Sequence, residues 1–305
     1  MISVVIPLYN KEGFIADTIR SVLHQTFDRF EIIVVDDGSL DASAEVVSQF
    51  DDPRIRVVPI AHSGVSVARN TGMEQATYNW IAFLDADDWW APTFLEEMVK
   101  SIDAYPLQKI FATGRTRVFS DTSERYKHRY LPMAGKTGIV NYFKIISKYL
   151  PPINASNVVV EKSLFYEIGK FRKDQTHYED HDLWLRLCVK QPVVFVNKSL
   201  SFYRKTEEDS ASGGVYTASD FCTYLSTMVE VNDSLSEENK RYFRKYTNRF
   251  VFLTFLKYNW EYTFSERSKV YALARQLLTF RRRLALSFFN ALPFNLYSIL
   301  KRGKR

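Results

Sequence analysis

Several features are scarce in this sequence of 305 residues, and each scarcity removes a class of function. There are two cysteines, Cys188 and Cys222, and they lack metal-ligand spacing, which excludes a zinc ribbon or finger. One disulfide between them stays open, but free thiols in a reducing compartment are the expectation. No G-x-G-x-x-G follows the first apolar run, which argues against a nicotinamide site, and no G-x-x-x-x-G-K-S/T occurs, which argues against a Walker-type NTPase. Low-complexity tracts and internal repeats are absent, so extended disorder is not expected. The strand-like run Ile2-Ser3-Val4-Val5-Ile6 has no basic n-region before it, which reads as a chain that is not exported and is cytoplasmic.

What is present is ordinary for a folded protein: 46% hydrophobic and 25% charged residues, enough for a sizeable core. Short apolar, β-branched runs at 2–7, 30–35, 55–58 and 80–84 read as buried strands. Between them lie helical patterns: 12–25, Asp41 as a cap for a helix to about Gln49, one from Ser63, and one opened by Pro92 through Val99. Such alternation predicts an α/β fold with a mostly parallel sheet covered by helices. Further on, the pattern predicts strands at 109–119, 157–161, 193–196 and 200–204, and helices at 138–149 and 179–190. A loop or hinge is expected near 205–215, where Glu207-Glu208-Asp209 meets Ser212-Gly213-Gly214. That divides the chain into 1–210 and a helical, basic region at 211–305.

Ligands of parallel sheets sit beyond the carboxyl ends of the strands. Polar clusters fall there: Tyr9-Asn10 after strand one, Asp36-Asp37-Gly38-Ser39 after strand two, and Asp85-Ala86-Asp87-Asp88 after strand four. Clustered carboxylates repel and need a cation, and hard oxygen donors suit Mn²⁺ or Mg²⁺. Alone, the last cluster reads first as a solvated acidic turn, and Gly38-Ser39 equally as a simple turn. Tyr9, following Pro7, can stack on a base. Arg69 can contact phosphate or brace a carboxylate. Glu179-Asp180 opens an amphipathic helix, where acidic residues suit either the helix dipole or a general base.

Five segments carry a resemblance: VVIPLYNKEGFI (4–15), FEIIVVDDGSLDAS (30–43), SGVSVARNTGM (63–73), WIAFLDADDWW (80–90) and YEDHDLWLRL (178–187). In this order the chain resembles a family 2 glycosyltransferase of bacterial cell-surface polysaccharide type, with the GT-A fold. The resemblance implies a nucleotide-sugar donor, a UDP-sugar, with Asp37 on the base, Tyr9 stacked beside it, and Pro7, Asp36, Arg69 and Asp85 lining the site. It implies that Asp87 ligates the metal with Asp85 supporting it, and that Asp180 is the catalytic base of an inverting transfer. The implied acceptor is a hydroxyl on a glycan or lipid-linked precursor. Many relatives carry His two residues after a Tyr-Arg pair; here Tyr203-Arg204 is followed by Lys205-Thr206, and His181, Glu208 and Asp209 are the alternatives for that role. A non-catalytic carbohydrate-binding or scaffold protein that kept the fold is the other reading.

The net charge of +6 belongs largely to the end of the chain. Residues 284–300 carry no charge between Arg281-Arg282-Arg283 and Lys301-Arg302, and Pro293 interrupts them. Basic flanks favour an interfacial helix pair on an anionic membrane over a span or a nucleic-acid site, with a core-packing helical subdomain as the alternative. Oligomeric state is not legible.

Overall fold

The computed structural model describes residues 1–205, 216–258 and 261–291. The chain forms two compact units. The first comprises Met1–Tyr142, Pro151–Thr176 and Lys190–Gly213; the second comprises Phe143–Leu150, His177–Val189 and Gly214–Arg305. The last cut falls close to the expected boundary at 210/211, but two earlier segments, one of them carrying Asp180, also belong to the second unit.

In chain order the elements are β1 (Ile2–Leu8), α1 (Ile15–Leu23), β2 (Phe30–Asp36), α2 (Ser43–Ser48), β3 (Ile55–Pro59), α3 (Val65–Gln75), β4 (Trp80–Phe83), β5 (Trp89–Trp90) and α4 (Phe94–Ala104). Then come β6 (Ile110–Val118), β7 (Ser123–Arg125), β8 (Thr137–Val140), α5 (Tyr142–Ile146), β9 (Val158–Glu161), α6 (Lys162–Ile168), α7 (Glu179–Lys190) and β10 (Val193–Arg204). Four helices follow: α8 (Ala218–Ser234), α9 (Glu237–Tyr258), α10 (Phe264–Leu277) and α11 (Phe280–Ala291).

The strands of the first unit form one sheet in the order β3-β2-β1-β4-β9-β6-β10-β5, with β7 on β6 and β8 on β10. The wing β3-β2-β1-β4 is parallel, as expected. Beyond it the sheet is mixed, because β9 runs antiparallel to both β4 and β6. Val4, Ile6, Ile32, Val34 and Ala82 pack with Ile19 and Val22 of α1 and Met98 of α4 into a buried core. Burying such aliphatic side chains stabilises the fold by about 1.5–3 kcal/mol each.

Pro7 was expected to end β1, yet β1 continues through it to Leu8. The ladder explains this. Val5 O accepts from Leu84 N on the β4 side, and Leu8 O accepts from Asp37 N on the β2 side. Alternation turns Pro7 toward β4, whose pairing with β1 stops at Val5, so its missing N–H removes no ladder bond. The helix expected over 12–25 begins only at Ile15, because the preceding loop is held elsewhere: Asn10 is left-handed at φ 49°. Glu12 N donates to Asp41, and Ala42 N donates back to Glu12.

Two further expectations change. The helix expected over 138–149 is β8 followed by α5, since 137–140 pair antiparallel with β10. The two strands expected at 193–196 and 200–204 are one, β10, with irregular register between Val196 and Ser201.

The second unit is helical. Its interior includes Phe221, Tyr224, Met228, Phe243, Tyr246, Phe255 and Val270. The Tyr224 and Tyr246 hydroxyls meet at 2.9 Å, which satisfies both polar tips within an apolar interior. The hinge expected at 205–215 and the tail beyond Ala291 lie largely or wholly outside the described residues.

Candidate active site

The strand ends of the parallel wing carry the expected clusters. After β2, Asp37 is buried, and its two carboxylate oxygens accept from Ser63 N at 2.7 Å and Gly64 N at 2.9 Å. Gly64 supplies the second donor at φ 90°, a backbone conformation that costs other residues strain, just before α3 begins. Asp36 accepts from Ser39 N at 3.0 Å and so fixes the turn. Tyr9, half-exposed after β1, stacks on His62 with ring centroids 4.1 Å apart. His62 Nδ1 in turn lies 3.0 Å from both the backbone oxygen and Oδ2 of Asp37. An aromatic face and a fixed carboxylate thus adjoin one another, which suits a flat heterocycle with N–H donors.

After β4 the carboxylates meet side-chain cations. Arg69 Nη2 bonds Asp85 Oδ1 at 2.8 Å. α3 carries Arg69 and packs very close to β1: a Cβ built at Gly72 would lie 2.3 Å from Val5 Cγ1. Lys11 Nζ lies 2.9 Å from Asp87 Oδ2, while its backbone N is held by Ser43 Oγ. The Asp85 and Asp87 side chains keep 30% and 23% of their exposure, so solvent reaches both.

Asp88 differs from its neighbours. It is 1% exposed and accepts from Ser156 Oγ at 2.5 Å and from Arg204 N at 3.0 Å. Burial, reinforced by the Asp85 and Asp87 charges, pushes its carboxyl well above the usual range. Thr18 Oγ1 lies within bonding distance of the Ala86 and Asp88 carbonyls, and Trp90 Nε1 donates to Ser156 O, so the turn is braced from several elements. The Arg204 guanidinium lies over the Phe14 and Trp89 rings, and its Nε donates to the Asp87 carbonyl.

Among the described residues no three His, Cys, Asp or Glu side chains form a metal-binding group. Asp85 and Asp87 are nonetheless accessible hard-oxygen donors whose charge is already balanced by cations. They fit an ion that takes its remaining ligands from water and phosphate.

Asp180 belongs to the second unit, at the start of α7. Its Oδ1 accepts from His181 N at 2.6 Å. The neighbouring Asp182 is fully buried and held by Arg186 at 2.6 Å and Thr227 Oγ1 at 2.5 Å. Of these two aspartates in one turn, Asp180 alone keeps partial exposure. Tyr178, left-handed at φ 65°, stacks on Tyr224 at 5.2 Å ahead of this helix.

Sequence reasoning placed Pro7, Tyr9, Asp36, Asp37, Arg69, Asp85 and Asp87 within the first unit around these strand ends. It missed Lys11, His62 and Ser156. Lys11 lies inside the first matching segment and His62 just before the third, so proximity was their only signal. Ser156 sits in a 3-10 turn remote in sequence, and nothing marked it. Thr206, Glu208 and Asp209 lie outside the described residues; His181 packs edge-on against Tyr224 in the second unit.

A central sheet with a parallel wing carries an aromatic face and two accessible carboxylates at its strand ends, the edge at which such α/β proteins bind ligands. The chain belongs to glycosyl transferase family 2, whose sequence profile matches residues 3–180. It is similar to the glycosyltransferase GlyA of Streptococcus pneumoniae serotype 4, with 30% identity over 220 residues, 67% of this chain and 30% of that protein. It is also similar to the UDP-Glc:alpha-D-GlcNAc-diphosphoundecaprenol beta-1,3-glucosyltransferase WfgD of Escherichia coli, 28% identical over 70% of this chain and 80% of the other. The match thus spans under a third of GlyA but most of WfgD. The fold is GT-A: TarS of S. aureus, solved in complex with UDP-GlcNAc, superposes with a TM-score of 0.73 at 19% identity, covering 95% of this chain and 87% of that one.

Proposed function

We propose that this protein is an inverting glycosyltransferase that moves a sugar from a UDP-sugar to a hydroxyl of a lipid-linked or cell-surface glycan precursor. One observation carries the reading. The Tyr9–His62 stack beside the doubly held Asp37 lies in the same unit as Asp85 and Asp87, each paired with a cation. The first pair of features suits a nucleobase, and the second suits a diphosphate.

In this mechanism the base lies against Tyr9, and Asp37 accepts from its N–H. Arg69 and Lys11 bring positive charge toward the diphosphate. Asp87, with Asp85 supporting, would hold a divalent cation, Mn²⁺ or Mg²⁺, which supplies compensation for the charge of the leaving nucleoside diphosphate. Asp180 takes the acceptor proton as the hydroxyl oxygen attacks the opposite face of the anomeric carbon. The carbon–oxygen bond to the diphosphate breaks, and the configuration inverts. A lipid-linked acceptor would be met at the inner face of an anionic membrane. WfgD, by its name, acts on a diphosphoundecaprenol-linked sugar, which favours that acceptor class.

The test is Asp180→Asn, assayed for nucleotide binding by calorimetry and for transfer by product formation. Binding is expected to persist while transfer falls about 10²–10⁴-fold. Undiminished transfer would refute the assigned base. Absence of any metal-dependent donor turnover by the wild type would favour the carbohydrate-binding reading instead.

A further inference from the structure

Helix α11 presents large apolar side chains to solvent. At 100° per residue, the position facing the unit's interior is Leu286, which is fully buried. Next to it around the helix are two exposed arginines. Arg282 lies over the Phe252 ring at 4.2 Å, and Arg283 Nε donates to Leu278 O at 2.7 Å. Ser287 meets the Tyr271 hydroxyl of α10 at 2.5 Å. The opposite face carries Phe280, Leu284 and Phe288, which are 73%, 56% and 60% exposed, with exposed Arg281 at its edge. A surface helix of a soluble protein normally points such apolar residues inward. Here three large apolar side chains face solvent on a helix whose three arginines are also exposed.

We propose that the outer face of α11 is a membrane-docking surface that lies in the plane of an anionic bilayer, with Phe280, Leu284 and Phe288 in the acyl boundary and Arg281 among the headgroups. Spacing by four places the three apolar side chains on one stripe, the geometry of an in-plane interfacial helix. α11 has Arg281, Arg282 and Arg283 and no acidic residue, so its charge complements anionic lipid. A second copy of the chain fits poorly. A single stripe on a helix of 12 residues falls well short of the roughly 800 Å² per partner of a stable interface, and twofold pairing would oppose arginines. No helix among the described residues is long and apolar enough to cross a membrane, which leaves an in-plane contact as the mode available to this helix. The inference rests on the membrane location in the proposed function and not on the donor chemistry.

The experiment uses the full chain and two variants, Phe280→Ser/Leu284→Ser and Arg281→Glu. Co-sedimentation is measured with vesicles of phosphatidylcholine alone and with added phosphatidylglycerol. Melting and transfer to a water-soluble acceptor are followed in parallel. Wild type is expected to sediment with the anionic vesicles and not the neutral ones. The double variant should bind about tenfold or more weakly, given the apolar area lost, and Arg281→Glu should bind less weakly than that. Melting and soluble-acceptor transfer should stay unchanged in both. Equal vesicle binding by the double variant, or none by wild type, overturns the proposal. A marked fall in its melting temperature also overturns it, because the stripe is then covered by the chain itself. Vesicle binding without transfer in the wild type would instead sink the transferase reading and leave this surface standing.

Discussion

The acidic ends of β2 and β4 hold their carboxylates in opposite ways. Asp37 is held by backbone: two amides from the entry to α3 converge on its oxygens. Asp85 and Asp87 are held by side chains, the Arg69 guanidinium and the Lys11 ammonium. Backbone donors on a turn leading into a helix are fixed in place and give the carboxylate one orientation, which under the proposed function would suit a rigid base. Flexible side-chain cations can rearrange, so under the proposed function Asp87 would be able to give up Lys11 and hold a metal ion instead. Chemically similar residues at equivalent strand ends are thus assigned to shape in one case and to exchangeable charge in the other.

Three substitutions test this contrast. The largest effect is expected from Asp87→Asn, which under the proposed function removes the carboxylate that would hold the cation compensating the leaving diphosphate. Initial rates with Mn²⁺ should fall about 10²–10³-fold, while affinity for uridine alone stays near the wild-type value. Loss of uridine binding would erase the division of labour. Asp37→Asn should act on the fold as well as on the ligand, because its amide turns an N–H toward one of the two backbone donors. Thermal denaturation should report a loss of about 1–3 kcal/mol, and uridine binding should weaken with it. A variant as stable as wild type would mean that the two amides are dispensable. The smallest effect belongs to Lys11→Met. The ion pair is partly exposed, so the metal-free protein should lose only about 0.5–1 kcal/mol. Mn²⁺ titration without donor, read by electron paramagnetic resonance, should show tighter binding once the competing ammonium is gone. Weaker binding would show that Lys11 does not compete for Asp87.

Much of the fold was legible because the apolar runs of β1 to β4 are local and bounded by turn residues. The helix at 179–190 was equally plain, since its amphipathic period is continuous. Residues 138–149 misled because β8 is only four residues long and owes its conformation to β10, more than fifty positions away in the chain. Pro7 misled because its tolerance depends on where β4 stops pairing, and β1 alone carries no sign of that. In the site, Asp37, Asp85, Asp87 and Arg69 were identifiable from position and charge. Lys11, His62 and Ser156 were not, because each matters through a partner far from it in sequence.

By itself, the sequence determined which residue types stand at which strand ends, since hydrophobic alternation and turn chemistry are local. Only tertiary structure decided which carboxylates remain available. Asp87 and Asp88 are adjacent, yet Ser156 and Arg204 close around Asp88 and leave Asp87 within reach of solvent. Asp180 and Asp182 lie in one helical turn, yet Arg186 and Thr227 take up Asp182. Burial is set by neighbours brought from distant parts of the chain, and they close in Asp88 and Asp182 while Asp87 and Asp180 keep partial exposure.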